Sequence, residues 1–426
     1  MSASCGIYEA LWLARLHHAS AQALYMHLPF CVQKCLYCDF ASWATPKNDP
    51  LIDAYVSSLV RLFDEAVAIG LLEGCETAYI GGGTPTLAGS ALAGLVSNIR
   101  AGLPRLTEFT SEANPDSLSD SLLEELAGAG CTRISLGVQS LDDEELRLLG
   151  RVHSAERAID RLRAAVSTGL DVSADLMCAI PAQTDQSWKR TVERVIASGV
   201  GLVSVYPLQI EEGTPFDRQY GETEASWNDT EVQACRMELA EAALAEQGFT
   251  RYEVASYALR GKECQHNEAY WTAKPYLGLG TNASSMLTRE GYERLREAVP
   301  QLPSLPPDVR RVRLTCINGR REIADAKRLS ALLFDLELMN DGQAAAEDLM
   351  LAMRMTSGAG PGLIAHARAT LGGSKVDDAF EWCVARGLVE QHGSSWVPTS
   401  EGWLLGNELY GRLWDLAPEG VEGLSI

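Results

Sequence analysis

Three cysteines near the start of the chain carry the most specific chemistry in the sequence. Cys31, Cys35 and Cys38 follow a CxxxCxxC spacing and come directly after a short apolar run at 24–28. Thiolates bind soft metals, so a set made only of cysteines favours zinc or an iron–sulfur cluster. A structural zinc site normally takes four protein ligands, whereas this loop offers three thiols and no second pair nearby. Three thiols fit a four-iron cluster with one open iron; the alternatives are zinc and three reduced cysteines that pack as small hydrophobic residues.

The sequence around these cysteines, YMHLPFCVQKCLYCDF at 25–40, resembles the signature of the radical S-adenosylmethionine (SAM) enzymes. That resemblance implies that the three thiolates hold a 4Fe-4S cluster and that the amino and carboxylate groups of SAM bind its fourth iron. In the family, an electron from the cluster cleaves SAM to a 5′-deoxyadenosyl radical. The wider string narrows the resemblance to the branch that contains oxygen-independent coproporphyrinogen III oxidase and the HemW-type haem chaperones.

Glycines and polar residues at the ends of the later predicted strands match the SAM site of that branch. The segment 81–85 reads GGGTP, and glycine lets backbone groups approach a ligand closely. Glu112, Gln139 and Asp175 each close a predicted strand, where a carboxylate suits an ammonium group or ribose hydroxyls. Arg151 suits a carboxylate. Each residue alone could be a turn or a surface cap, but in this order the resemblance assigns SAM binding to Tyr25, Gly82, Gly83, Thr84, Glu112, Gln139, Arg151 and Asp175.

The sequence departs from that branch directly after the last of these strands. Residues 177–183 read MCAIPAQ, where a YGLPGQ-like string is usual. Backbone contacts to the adenine of SAM are therefore less firmly implied here. Pro181 and Gln183 are retained, which predicts that the loop keeps its shape.

A second constellation, ECQHNEAYW at 263–271, contains the string HNxxYW. A neutral imidazole is a common ligand of haem iron, and tyrosine and tryptophan offer flat surfaces to a porphyrin. An arbitrary histidine is more often a buried residue that bridges polar groups. This string, however, is similar to the HemW-type motif implicated in haem binding. The resemblance therefore implies haem binding by His266, Tyr270 and Trp271. His266 is the expected axial ligand, and the thiolate of Cys264 is the alternative. The glycine-rich stretch 276–285 is predicted to be a turn that covers the same mouth.

The elements that must position these residues alternate between short apolar runs and longer helical patterns. Repeated βα units require a parallel sheet, and about six of them predict an α/β fold with a partial (β/α)6 barrel rather than a closed eightfold one. The resemblance implies the same radical SAM barrel. Chemistry in such barrels gathers at the carboxyl ends of the strands. The predicted strands lie near 24 and at 77–80, 108–113, 132–138, 171–177 and 202–206, and the predicted helices at 51–69, 90–101, 121–129, 155–168 and 188–197.

The chain is predicted to divide into four parts: an N-terminal extension with a short helix (1–22), the barrel with the haem motif (23–285), a basic linker region (286–340) and a small winged-helix-like domain (341–426). Within 308–328 there are seven Lys or Arg against three acidic residues. This stretch is interpreted as a solvated helix face, with porphyrin propionates or an acidic partner as alternatives.

The C-terminal pattern has helices at 346–355, 362–370 and 376–386, a hairpin at 387–398 and a last helix at 401–414. That order is typical of a winged helix, a fold that often binds DNA. Residues 346–426, however, contain five Lys or Arg and eleven Asp or Glu. This balance argues against DNA binding and favours a docking or lid role.

Bulk composition limits the partners and the compartment. The 426 residues carry a formal charge of −21, and an acidic surface repels the polyanionic backbone of nucleic acid. No apolar run approaches the roughly 20 residues that span a bilayer, and the start of the chain lacks a signal-peptide pattern. Eleven cysteines, an odd number, suit a reducing compartment. We therefore expect a cytoplasmic protein that contacts membranes only at their surface, as a monomer or homodimer.

Two functions from different classes follow. One is a haem chaperone that holds haem and delivers it to haem-requiring respiratory apoproteins. The other is oxygen-independent coproporphyrinogen III oxidase, in which the adenosyl radical removes a propionate β-hydrogen, carbon dioxide leaves and a vinyl group forms, with a low-potential electron donor for the cluster. The oxidase resemblance calls for a further cysteine two residues after the third ligand, where this chain has Phe40, whereas the chaperone motif HNxxYW is present. The chaperone is the preferred prediction, and whether the protein is an enzyme stays open.

Overall fold

The computed structural model describes residues 18–221, 228–418 and 424–425. Their main feature is a mixed sheet of thirteen strands, within which the six strands of successive βα units pair in parallel. These strands are almost fully buried because helices cover them. They are β1 (Ala23–Leu28), β2 (Thr77–Gly82), β3 (Glu108–Ala113), β4 (Arg133–Gln139), β5 (Asp171–Cys178) and β6 (Leu202–Pro207).

Helices connect the parallel strands and pack their apolar faces into the same core as the sheet. Their starts follow sequence signals: Ser119 and Ser154 are N-caps, and each hydroxyl accepts a hydrogen bond from a backbone N–H in the first turn. This alternation confirms the predicted partial (β/α)6 barrel. The helices between β1 and β6 are Pro50–Ala68, Ser90–Gly102, Asp120–Ala129, Asp143–Leu148, Ala155–Ser167 and Asp185–Ile196.

Further strands extend the sheet at both edges. Beyond β6 lie β8 (Ser256–Ala258) and then β7 (Thr250–Arg251). Beyond β1, β9 (Tyr276–Leu279) runs parallel to β1, and β10 (Ser284–Thr288) returns antiparallel to β9. Three further helices, Pro215–Tyr220, Thr230–Ala245 and Gln265–Trp271, lie between β6 and β9.

The stretch 276–285 is therefore not a turn alone, as the sequence suggested, but a strand, a short turn and the start of another strand. Its glycines allow two backbone segments to approach each other closely; they do not make the segment flexible. A Cβ on Gly278 would lie 2.2 Å from the carbonyl oxygen of Ser284. Composition alone cannot distinguish these two uses of glycine.

The region 286–340, predicted to be a basic linker, also forms part of the main sheet. It contains β10, β11 (Val309–Cys316) and β12 (Phe334–Asn340), which pair antiparallel, with helices Arg289–Ala298 and Arg320–Asp325 between them. The expected solvated helix face is wrong for its central arginines, because Arg311 and Arg313 lie on β11. Both pair with carboxylates from residues 337–348. Because these partners are distant in sequence, the pairing could not be recognised and the stretch was interpreted as exposed.

The last part of the chain has the predicted order of three helices, a hairpin and closing helices. The first helix, Asp341–Ala352, is called the wall helix below. Side chains such as Leu349, Phe380 and Leu409 form a small core of their own. The remaining elements are helices Pro361–Leu371, Gly373–Ala385, Ser400–Leu404 and Gly406–Trp414 and hairpin strands Val389–His392 and Ser395–Pro398.

Two predictions about the ends and the membrane have a limited outcome. The short N-terminal helix falls mainly in residues 1–17, outside the described part of the chain. Within the described residues, no helix combines the length and the apolar character needed to cross a bilayer. The division at 341 stays a prediction. The wall helix, which begins there, is bound to β11 by buried ion pairs.

Candidate functional site

The three cysteines lie on the loop that leaves the carboxyl end of β1. Cys31 belongs to the two-residue strand Phe30–Cys31, and Cys35 and Cys38 follow in turns. All three are partly exposed and line one cavity of about 410 Å³, called the cluster cavity below. Nowhere in the described residues do three or more His, Cys, Asp or Glu side chains surround a single ion position. A 4Fe-4S cluster does not need such a point, since each thiolate binds a different iron.

Hydrogen-bond donors face the sulfurs of this loop. Thr84 donates through its hydroxyl to Cys31 Sγ at 3.6 Å, and Arg151 donates through Nη1 to Cys35 Sγ at 3.4 Å. Partial burial raises the pKa of Cys31 and of Cys38. Without metal these two thiols are therefore largely protonated, whereas iron would displace their protons. The donors would then stabilise the charge on the sulfurs.

Seven of the eight residues predicted to bind SAM line the cluster cavity. They come from the carboxyl ends of four neighbouring strands and the loops after them. The exception is Tyr25, which faces a second cavity described below. The seven are Gly82, Gly83, Thr84, Glu112, Gln139, Arg151 and Asp175.

Two partly buried carboxylates line the cluster cavity. Glu112 accepts hydrogen bonds from the Tyr79 hydroxyl and the Gly82 N–H, each at 3.0 Å, and Asp175 accepts one from the Ser135 hydroxyl at 3.1 Å. Burial, and then repulsion from Asp175, raises the pKa of Glu112 to about 7. Burial raises the pKa of Asp175 to about 6. Among the described residues, no cation forms an ion pair with either carboxylate, so both are suited to a ligand that carries an ammonium group or hydroxyls.

Gly83 keeps the cysteine loop against the end of β2. A Cβ there would lie 2.7 Å from the carbonyl oxygen of Phe30 and 2.9 Å from Cys31 Sγ. We expect Gly83→Ala to displace the loop, to lower iron incorporation on anaerobic reconstitution and to cost about 1–3 kcal/mol in the free energy of unfolding. Iron content and urea denaturation measure the two effects.

The matched control for this substitution is Gly94→Ala. Gly94 lies inside the helix Ser90–Gly102, and no atom lies within 4 Å of a Cβ built on it. Alanine there should raise stability by up to about 1 kcal/mol, because it favours the helix. Unchanged iron content in Gly83→Ala would show that the loop does not depend on this contact.

Sequence reasoning missed Asn114 and the strained geometry at the end of β4. Asn114 follows β3 directly, which was the available signal, and its side-chain oxygen accepts a hydrogen bond from Arg151. Arg151 also donates to the carbonyl of Gly137 at 2.7 Å. Gln139 has a φ of 67°, a costly conformation for a residue with a side chain. Such strain commonly marks residues held in place for a ligand.

The loop after β5 shows what the departure from the YGLPGQ-like string means. Its two alanines, Ala179 and Ala182, have φ values of 56° and 64°, where glycine carries no penalty. The retained glutamine offsets this strain, since Gln183 accepts the Ala179 N–H at 2.8 Å and donates to Glu145 at 3.0 Å. The loop thus keeps a turn suited to glycine although both glycines are absent.

A second cavity of about 560 Å³ lies beside the cluster cavity and is called the aromatic cavity below. The two share four lining residues, among them Phe40 and Glu112. The wall helix closes one side with Glu347 and Leu351. The aromatic residues that line it are Tyr25, His27, Phe40, Tyr270, Trp271 and Tyr276.

The helix Gln265–Trp271, called the motif helix, brings only part of the predicted haem set to this cavity. Tyr270 and Trp271 line it, but His266 is 1% exposed and lies behind Tyr270. Both of its ring nitrogens are engaged: Nδ1 lies 2.9 Å from the Thr77 hydroxyl and Nε2 lies 3.0 Å from the Tyr270 hydroxyl. Burial lowers the pKa of His266 to about 3. The histidine is thus a neutral, hydrogen-bonded residue one layer behind the cavity wall.

The other residues of the motif have separate roles in the fold. Cys264, the alternative thiolate, is buried and donates to Glu108 at 3.4 Å, so it faces neither cavity. Trp271 donates to Glu253 at 3.0 Å, and the guanidinium of Arg354 lies 5.1 Å from its ring centre. Because Arg354 follows the wall helix, Trp271 links the barrel to the C-terminal part of the chain.

Comparison with known proteins gives three findings. A model of the Radical SAM superfamily matches residues 25–195. The "Heme chaperone HemW" of Mycobacterium tuberculosis is 31% identical over 387 residues, which cover 90% of this chain and 92% of that protein. The "Heme chaperone HemW" of Escherichia coli is 36% identical over 273 residues, which cover 62% of this chain and 70% of that protein. The solved structure of coproporphyrinogen III oxidase (HemN) from Escherichia coli, described as a radical SAM enzyme, superimposes with a TM-score of 0.73 at 18% identity, covering 95% of this chain and 93% of that one.

Proposed function

The chain belongs to the HemW family of radical SAM proteins, and from that premise we propose that it is a haem chaperone, which binds haem and delivers it to haem-requiring respiratory apoproteins. The proposal places it in the cytoplasm, with membrane contact only at the surface. The observation that carries it is the aromatic cavity, a space of about 560 Å³ whose walls include Tyr270 and Trp271 of the motif helix. Flat aromatic side chains suit the faces of a porphyrin.

The cluster cavity fits the cofactors that the family implies. Cys31, Cys35 and Cys38 would hold a 4Fe-4S cluster, and when bound it supplies the electron that can cleave SAM. Glu112 would accept hydrogen bonds from the SAM ammonium group. Arg151 would donate to its carboxylate.

The remaining residues of the set would hold the rest of SAM. Asp175 would accept hydrogen bonds from two ribose hydroxyls. The backbone of Gly82, Gly83 and Thr84 would lie along the ammonium end. Gln139 would close the cavity at the end of β4.

The oxidase alternative meets one unfavourable observation. Phe40 occupies the position where the oxidase resemblance calls for a further cysteine, and its side chain is 64% exposed between the two cavities. A phenyl ring can neither ligate metal nor donate a hydrogen atom as a thiol does. It can cover the face of a porphyrin. Phe40 therefore favours holding a tetrapyrrole over reacting with it.

Haem transfer separates the two functions. Full-length protein, reconstituted without oxygen and loaded with one equivalent of haem, is mixed with a haem-free respiratory apoprotein, and transfer is followed by absorbance. A parallel sample receives coproporphyrinogen III, SAM and a low-potential reductant, and its products are analysed by chromatography. We expect transfer in the first sample and unchanged substrate in the second. Conversion to protoporphyrinogen IX would establish the oxidase instead.

SAM binding should depend on pH through Glu112. Burial and then Asp175 raise the pKa of this carboxyl to about 7, so it binds a proton as the pH falls below 7 and loses its capacity to accept from the SAM ammonium group. We expect SAM affinity to fall about tenfold between pH 8 and pH 6. Anaerobic equilibrium dialysis of cluster-loaded protein, without reductant, measures this change.

The control is Glu112→Gln, which keeps the shape of the side chain but cannot ionise. Its SAM affinity should be weaker than that of the wild type at pH 8 and nearly constant down to pH 6. The same tenfold fall in the glutamine variant would assign the pH dependence to another group.

A further inference from the structure

Two tyrosines that line the aromatic cavity have hydroxyls that are each hydrogen-bonded to a histidine. The Tyr25 hydroxyl lies 2.9 Å from His27 Nδ1, and the Tyr270 hydroxyl lies 3.0 Å from His266 Nε2. Burial lowers the pKa of both histidines, so both rings are neutral. A neutral imidazole has one N–H donor and one acceptor nitrogen. The second partner of each ring therefore decides whether its phenol can lose its proton.

The second partners differ, and this distinguishes the two pairs. His27 Nε2 lies 2.8 Å from the carbonyl oxygen of Ala41, which can only accept. The proton of His27 must then be on Nε2, so its Nδ1 can only accept, and Tyr25 must keep its own proton. His266 Nδ1 faces the hydroxyl of Thr77, which can donate or accept. His266 can therefore carry its proton on Nε2 and donate it to the oxygen of Tyr270.

A phenolate at Tyr270 is stable only beside a cation. Burial is the main reason that the pKa of Tyr270 lies well above its usual value, so the hydroxyl stays protonated in the free protein. A bound metal ion reverses this preference, because its charge replaces the proton. Tyrosine is one of the side chains known to ligate haem iron. The cavity can thus distinguish ferric haem from a metal-free porphyrin.

From this geometry we infer that Tyr270, and not His266, is the axial ligand of ferric haem in the aromatic cavity, with His266 as a positioning residue that donates to the ligated oxygen. The inference rests on the proposed haem binding and names the atom that performs it. On binding, a bond forms between iron and the Tyr270 oxygen, and the bond from iron to its hydroxide breaks. The phenol proton leaves with that hydroxide as water. Iron stays ferric, so no electron is exchanged.

The surroundings of Tyr270 hold its ring for this role. The ring of Tyr276 meets it edge to face at 4.6 Å between centres, and that of His266 at 4.9 Å. The tyrosine is thus fixed from two sides at the wall of the cavity. The motif string HNxxYW then has a physical meaning: a histidine four residues before a tyrosine on one helix lies one turn away from it.

Resonance Raman and electron paramagnetic resonance spectra of the haem-loaded, full-length protein test the inference. The wild type should show iron–phenolate vibrations and a high-spin ferric signal. Tyr270→Phe should lose the phenolate vibrations. Tyr25→Phe removes the other imidazole-bonded phenol and should keep them. His266→Ala should keep them at a shifted frequency, with haem affinity lowered about 10- to 100-fold, the range seen when a group that supports a metal ligand is removed.

Growth with ring-deuterated tyrosine shifts phenolate vibrations in the wild type, which tests the ligand without any substitution. An imidazole-ligated spectrum that His266→Ala abolishes would overturn the inference, as would loss of the phenolate vibrations in Tyr25→Phe but not in Tyr270→Phe. Haem that binds through any other ligand would overturn the inference but leave the chaperone proposal intact. Absence of haem binding in the wild type would reject both.

Discussion

Alanine at any one of Cys31, Cys35 and Cys38 should reduce the iron of the reconstituted protein from about four atoms per chain to nearly none. The three sulfurs line one cavity, and each would bind a different iron of the cluster. A single loss leaves two protein ligands, too few to retain a cluster that already has one open iron. Iron and acid-labile sulfide, measured after anaerobic reconstitution and desalting, give the result.

The matched control is Cys235→Ala. This thiol is free and exposed on the helix Thr230–Ala245, and it lines neither cavity. Its iron content should equal that of the wild type. Full iron in all three loop variants, or zinc in place of iron in the wild type, would reject the cluster assignment.

Methionine in place of Arg311 should destabilise the protein strongly. The side chain of Arg311 is 7% exposed and donates to Glu347 at 2.6 Å and to Asp348 at 2.7 Å, whose side chains are 4% and 1% exposed. Removing one partner of a buried ion pair leaves uncompensated charge and costs about 3–5 kcal/mol. Urea denaturation of the full-length protein measures the loss. Because Glu347 lines the aromatic cavity, haem affinity should fall as well.

Arg310 provides the comparison, because it is the neighbouring residue on β11. Its side chain is 53% exposed, and its partner Asp341, at 3.1 Å, is 61% exposed. Arg310→Met should therefore change stability by no more than about 1 kcal/mol. Equal losses in the two variants would show that the buried pairs do not hold the wall helix on β11.

The barrel and the cluster loop could be predicted from the sequence because their signals are local. Apolar runs and capping residues define β1 to β6 and the helices between them, and a polar residue at a strand end lies at the mouth of a barrel whatever its distant partners. Glu112, Gln139 and Asp175 were located in this way. Only Tyr25 of the predicted SAM set lines the neighbouring cavity instead, because a strand position does not reveal which of two adjacent spaces a side chain faces.

What could not be predicted depends on partners far apart in the chain. Arg311 appeared to be an exposed charge until the wall helix brought Glu347 and Asp348 to it. His266 resembled a haem ligand, but its buried contact with Thr77, 189 residues earlier, places it behind the cavity wall. Neither contact has a local signature.

A haem titration tests the central claim most directly. Ferric haem is added without oxygen to the full-length, cluster-loaded protein, and absorbance follows both the haem band and the iron–sulfur absorption. The two neighbouring cavities, of which only the cluster cavity is lined by the three cysteines, predict saturation at about one haem per chain with the cluster absorption unchanged. Haem that does not saturate, or that binds only as the cluster is lost, would contradict this account.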